Sequence, residues 1–179
     1  MSIIIGIISK ENNLIIGADT RAVLHNGTIN DNFQKLFKIR HNLFIGITGI
    51  AEYGIGVIKG LLEFERIKDL TNKEIIDLIN LNYPILKLDS TILIAGKNDN
   101  NIAFIWTKST TGTIELLEGN GRDVFYSINS TSNIDSFESK LKQTIVSTNH
   151  DYFISVMKTI QYASEIDKTI SSKSDIYQI

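Results

Sequence analysis

Apolar and polar positions change their period several times along the chain, and each change marks an element. Two β-branched runs open it, residues 2–9 (SIIIGIIS) and 13–19 (NLIIGAD), joined by the polar "KENN", which predicts a hairpin. A second pair of strands is predicted at Leu36 to Ile39 and Leu43 to Thr48, around the polar turn Arg40-His41-Asn42. From Ile50 the period lengthens, and Ile50, Gly54, Val57, Ile58, Leu61, Leu62 and Glu65 fall on one helical face. Gly54, Gly56 and Gly60 lower the propensity of that helix and suit it to close approach by a sheet or another helix. Thr71-Asn-Lys-Glu74 is a capping box, in which hydroxyl and carboxylate each take an orphan N–H of a helix that runs to about Asn82, with Pro84 just beyond its end.

Strands return at 90–97 (STILIAGK) and 101–108 (NIAFIWTK), with a third in "GTIELL" after Gly112 and a fourth at Val124 to Ile128. Two helices follow, the second carrying Tyr152, Phe153, Val156, Met157, Ile160 and Ala163 at helical spacing, a stripe suited to a core face. The closing "SDIYQI" reads as a last strand. Strands, two helices, strands, two helices and a strand suit an α+β fold: a four-layer αββα sandwich of two antiparallel sheets with helices outside each. No linker or repeat divides the chain, so residues 1–179 are expected to form one domain.

Composition adds exclusions. Apolar residues make up 42% of 179, enough for a substantial core, and 18 basic against 20 acidic side chains leave a net charge of -2. Such a balance offers neither a basic stripe for nucleic acid nor a cationic face for a membrane. The absence of cysteine rules out disulfides, thiolate metal sites and a cysteine nucleophile, and is compatible with the expected cytoplasmic location. His25, His41 and His150 are far apart and in no nucleophile motif, so they read as loop or surface residues rather than metal ligands or a catalytic triad. No run reaches the roughly 20 apolar residues of a spanning helix, and the opening segment lacks the basic start of a signal peptide.

Candidate chemistry begins at position 2. Serine is small enough that removal of the initiator methionine is the normal expectation, which makes Ser2 the first residue. A terminal serine carries a hydroxyl nucleophile and an α-amine, whose ordinary pKa of about 7.7 to 8.0 suits it as base for that hydroxyl. On residue type alone Lys35 is a solvated charge, Asp19 with Arg21 a surface pair, and Gly49 a turn.

Taken together, "SIIIGI", "LIIGADTRA", "QKLFKI" and "LFIGITGIA" resemble, in residue type and spacing, the amino-terminal third of a proteasome β subunit or its bacterial relative HslV, members of the N-terminal nucleophile hydrolases. The match covers residues 2 to 52, allowing one extra residue in the first hairpin loop, and beyond that only the order of elements is similar. The resemblance implies Ser2 as nucleophile, Asp19 as the carboxylate of the strand end, Lys35 as the buried lysine and Gly49 as the oxyanion amide. It places Ser130, between Asn129 and Thr131, where the family has a Gly-Ser-Gly turn, and here both glycines are missing. Asp167 falls on the family's later aspartate, but Ile170 stands where a serine is expected and Ser171 comes one residue late.

The same carry-over lines a substrate cleft with Thr20 and Arg21 and a small apolar pocket with Ala22, Phe33, Ile47 and Ala51, positions that also suit strand and helix cores. It implies peptide substrates, like subunits in a ring, and a regulatory ATPase or α-type subunits as further partners, with no cofactor and no metal. Two other readings remain: a catalytically silent ring subunit, towards which the departures around Ser130 and Asp167 count, and an acylase of the same fold acting on a small molecule.

Overall fold

A computed structural model describes residues 2–23, 26–49, 51–83, 90–129 and 134–179. Strands β1 (Ile3–Ile8) and β2 (Leu14–Asp19) form the predicted hairpin and lie inside a four-stranded sheet of order β10-β1-β2-β11, with β10 at Val124–Asn129 and β11 at Ser174–Gln178. A five-stranded sheet runs β5 (Leu36–Arg40), β6 (Leu43–Gly49), β7 (Ser90–Lys97), β8 (Ala103–Ser109) and β9 (Ile114–Glu118) in chain order. Every pairing in both sheets is antiparallel. Helices α1 (Ala51–Glu63) and α2 (Asn72–Asn82) cover the five-stranded sheet, and α3 (Ile134–Ser147) and α4 (Tyr152–Ile166) cover the four-stranded one.

This layering explains why β1 is apolar at every position rather than at alternate ones. Its side chains still alternate, but both faces are dry: Ile3, Ile5 and Ile7 pack with Phe137, Leu141, Val156 and Ile160 of the helices, while Ile4 and Ile8 meet Leu36, Leu93 and Ile105 of the other sheet. Gly6 interrupts the run where Ile105 of the other sheet presses in, since a Cβ there would lie 2.4 Å from Ile105 Cδ1. A third core, under α1 and α2, holds Ile45, Ile47, Ile58, Ile75, Ile92 and Trp106.

The capping box forms as read, Thr71 Oγ1 accepting from the Glu74 amide at 3.2 Å and Glu74 Oε2 from the Thr71 amide at 2.7 Å. Two features differ from the sequence reading. A short hairpin, β3 (Ala22–Val23) with β4 (Ile29–Asn30), extends from the end of β2 and was too brief to show a periodic signal. On α1, Gly56 and Gly60 admit no neighbour: a Cβ on either would meet nothing within 4 Å, and both line an open cavity of about 420 Å³ between α1 and α2. Pro84 and His25 lie outside the described residues, while His41 and His150 are exposed.

The first hairpin is tied down at its loop. Asp123 accepts from the Lys10 amide at 2.9 Å and, through its second oxygen, from the Tyr152 hydroxyl at 2.9 Å. Burial, followed by the hydrogen bond to Asp123, pushes the Tyr152 phenol up to about 12. Folded protein therefore holds this proton more tightly than the unfolded chain, whose tyrosines titrate near pH 10, about the reference value. The resulting stability is fully present below about pH 10 and is lost as pH rises towards 12. Tyr152→Phe is expected to remove that part of the alkaline loss, and denaturant midpoints taken across pH 9 to 12, a window set at roughly the two titration points, would check it.

Candidate active site

The first strand starts beside the end of the second, and the two meet over one carboxylate. Asp19, the last residue of β2, is fully buried and accepts four hydrogen bonds. Its Oδ1 takes the Ile3 amide at 2.9 Å and Lys35 Nζ at 2.6 Å. Its Oδ2 takes the amides of Arg21 at 3.0 Å and Ser171 at 3.2 Å. A carboxylate removed from water needs this many donors to stay charged.

Lys35 precedes β5, and its own backbone is held by the five-stranded sheet, the Ile47 amide donating to its carbonyl at 3.1 Å. Its side chain crosses to the other sheet and leaves only 3% of its area to solvent. Burial pushes the ammonium below the ordinary lysine range, the Asp19 charge and hydrogen bond pull it part of the way back, and the nearby Arg21 charge adds to the fall. The buried ion pair replaces the two simpler readings, a solvated Lys35 and a surface pair of Asp19 with Arg21.

Ser2 is buried at 5% exposure, one residue ahead of β1, and Ile3, bonded to Asp19, fixes its place beside this pair. Gly49 ends β6 with φ +82°, in the left-handed region that favours glycine. Thr20 and Arg21 are engaged within the protein. The Thr20 hydroxyl donates to the Asp31 carbonyl at 2.8 Å, its amide to Lys173 and its carbonyl accepts from Phe33. The Arg21 guanidinium makes a two-pronged contact with the Asp31 carboxylate and donates to the Lys168 carbonyl. These two residues brace β2 against the β3–β4 hairpin and the α4–β11 connection.

Of the pocket residues, Ala22 is buried, Phe33 is half-buried, and Ile47 is a core residue under α1 and α2. The Ala51 side chain lies outside the described residues, as does Ser130. Asp167 closes the C-terminus of α4, and its carboxylate accepts from the amide of Thr169 at 2.9 Å and its hydroxyl at 2.6 Å. Both of these bonds are local to the turn; of this segment, the Ser171 amide is what reaches Asp19. Ile170, where the resemblance calls for a serine, is buried in the core with α3 and α4.

Sequence reading passed over Asp31 and the Ser171 amide. The first lies ten residues from its partner Arg21 with no motif between them, and the second is a backbone donor, which any residue would supply. Among the described residues there is no cluster of three or more histidine, aspartate or glutamate side chains able to hold a metal, and no helix long and apolar enough to cross a membrane.

No protein-family model matches the chain, and none of the curated proteins matches it either. Solved structures do. Eukaryotic HslV from Trypanosoma brucei is similar at a TM-score of 0.68 and 15% identity, over 98% of each chain. Anbu (ancestral beta-subunit) from Yersinia bercovieri is similar at a TM-score of 0.69 and 11% identity, over 98% of this chain and 80% of that one. The chain has the four-layer fold of HslV and Anbu, the N-terminal nucleophile hydrolase fold.

Proposed function

We propose that this protein is a proteasome-like N-terminal nucleophile peptidase of the cytoplasm, cleaving peptide bonds through Ser2 once Met1 has been removed. The observation that carries the reading is the Lys35–Asp19 ion pair, buried at the start of β1 and held by the amide of Ile3, the residue after Ser2. A chain of this fold has no structural need of a buried ammonium there, since a buried ion pair is seldom more stable than an apolar pair of the same shape.

In the proposed reaction Ser2 Oγ attacks the peptide carbonyl carbon and passes its proton to the α-amine of the same residue. Negative charge develops on the carbonyl oxygen, which the Gly49 N–H accommodates. The C–N bond then breaks, the α-ammonium returns the proton to the leaving amine, and an ester to Ser2 remains. Water attacks that ester with the α-amine again as base, releasing the acid and restoring the hydroxyl. Lys35, its charge set against Asp19, favours the deprotonated Ser2 oxygen electrostatically.

A ring of like subunits, with a regulatory ATPase or α-type subunits alongside, belongs to the same proposal, and one structural neighbour is by name a β subunit. Light scattering on the purified protein checks that part, where a stable monomer would contradict it. Fluorogenic peptides assayed beside small acyl-amides separate peptidase from acylase. Lys35→Ala should lower kcat/KM by at least about a hundredfold while the protein stays folded, because three amides still hold Asp19 in place. Near wild-type kinetics would remove Lys35 from the mechanism.

One observation favours the silent-subunit reading: Asp167 is committed to Thr169, and buried Ile170 replaces the expected serine. Under that reading neither peptides nor acyl-amides turn over, although the fold and the assembly persist.

A further inference from the structure

The amide assigned above to the oxyanion belongs to the peptide unit between Thr48 and Gly49. In a planar trans peptide the C=O and N–H point in opposite directions, so whatever holds the Thr48 carbonyl also aims the Gly49 N–H. A side chain reaches that carbonyl. Ser90, the first residue of β7 and paired in register with Gly49, donates its hydroxyl to the Thr48 carbonyl at 3.1 Å. Behind it, Tyr83 Oη lies 2.7 Å from Ser90 Oγ. A hydroxyl has one proton, and with that of Ser90 directed at Thr48, Tyr83 is the donor to Ser90.

The resulting chain runs from the Tyr83 O–H through the Ser90 O–H to the Thr48 carbonyl and so to the Gly49 N–H. The three residues behind Gly49 are buried: Tyr83 and Ser90 are each 1% exposed and Thr48 4%. Both hydroxyl-bearing residues are fixed through their backbones as well. Tyr83 caps α2, its amide donating to Ile79 at 2.7 Å, and the Ser90 carbonyl accepts from the Thr110 amide at 2.8 Å. In a low-dielectric interior, linked hydrogen bonds of this kind polarise one another in the same direction, which makes the terminal N–H a better donor.

We propose that Tyr83 and Ser90 are positioning residues, holding the Thr48–Gly49 peptide so that the Gly49 N–H faces the developing oxyanion. The inference rests on Gly49 being the oxyanion donor, and it predicts loss of transition-state stabilisation with little loss of substrate binding. Ser90→Ala should lower kcat roughly tenfold to a hundredfold, less than deletion of a donor outright, with KM changed by less than about twofold. Tyr83→Phe keeps the ring and should give a smaller fall in the same direction, while Ser90→Thr keeps a hydroxyl and should recover most of the rate. Affinity for a peptide boronate, which forms a tetrahedral adduct, should fall in step with kcat, and affinity for a product peptide should not.

The 15N and 1H NMR shifts of the Gly49 amide provide a readout that does not depend on turnover. They should move in Ser90→Ala and Tyr83→Phe and return towards the wild-type position in Ser90→Thr. If the wild-type protein hydrolyses nothing, the peptidase reading fails, while the Gly49 amide shift still decides whether these hydroxyls hold the peptide. An unchanged Gly49 amide shift in folded Ser90→Ala or, should that variant not fold, in Tyr83→Phe overturns the proposal, as does a rate loss that Ser90→Thr fails to repair.

Discussion

Asp19→Ala is expected to destabilise the protein by about 3–5 kcal/mol, the usual consequence of removing one partner of a buried ion pair. The substitution strands more than a charge. Lys35 Nζ and the amides of Ile3, Arg21 and Ser171 all lose their acceptor, and they come from four separate segments of the chain. With a urea slope of about 2 kcal/mol per molar, the unfolding midpoint should fall by about 2 M at constant protein concentration. Lys35→Met should be milder, because it leaves Asp19 with its three amide donors. Combining Lys35→Met with Asp19→Asn should recover part of the Asp19→Ala loss, since neither buried side chain is then charged. A stability for Asp19→Ala within about 1 kcal/mol of wild type would mean that Lys35 finds another acceptor, and would remove Asp19 as the organising group.

Ser2→Ala should have the opposite profile, little change in stability and complete loss of chemistry. One hydroxyl goes, which costs about 1 kcal/mol at most positions, while peptide turnover should fall by at least about ten-thousandfold, as when other hydrolases lose their nucleophile. Ser2→Thr keeps both the hydroxyl and the α-amine and should remain active. Steady-state hydrolysis and covalent labelling, measured on the same preparations, check both variants. Turnover by Ser2→Ala at the wild-type rate would sink the proposed mechanism.

Much of this architecture was legible because burial leaves a pattern. The apolar run of β1 announces a strand with two dry faces, and the capping box of α2 states its own boundary. The juxtaposition of Asp19 and Lys35 was legible only through the family resemblance, since nothing in their 16-residue separation brings them together. Other features left weaker traces. The two-residue strands β3 and β4 are too short for any period, and the Arg21–Asp31 brace is a tertiary contact without a motif. The Tyr83–Ser90–Thr48 chain joins residues from three elements, so its members look like ordinary core and strand positions.

Asp167 shows the limit of transferring a role by position. The segment reads Asp-Lys-Thr, and an aspartate whose carboxylate bonds two residues ahead is the ordinary chemistry of a helix-ending turn. That local bond takes up the side chain, and with Ile170 turned into the core the backbone amide of Ser171 is what this segment brings to Asp19. What could not be read was which atom, side chain or backbone, would face the carboxylate.

The most direct test of the whole account is the intact mass of the purified protein before and after exposure to an electrophilic peptide probe. The account predicts a chain lacking Met1 that gains one probe, mapped by fragmentation to Ser2 and absent from Ser2→Ala. Retention of Met1, which ties the Ser2 amine into a peptide bond, or a processed chain that stays unlabelled at Ser2, would contradict it.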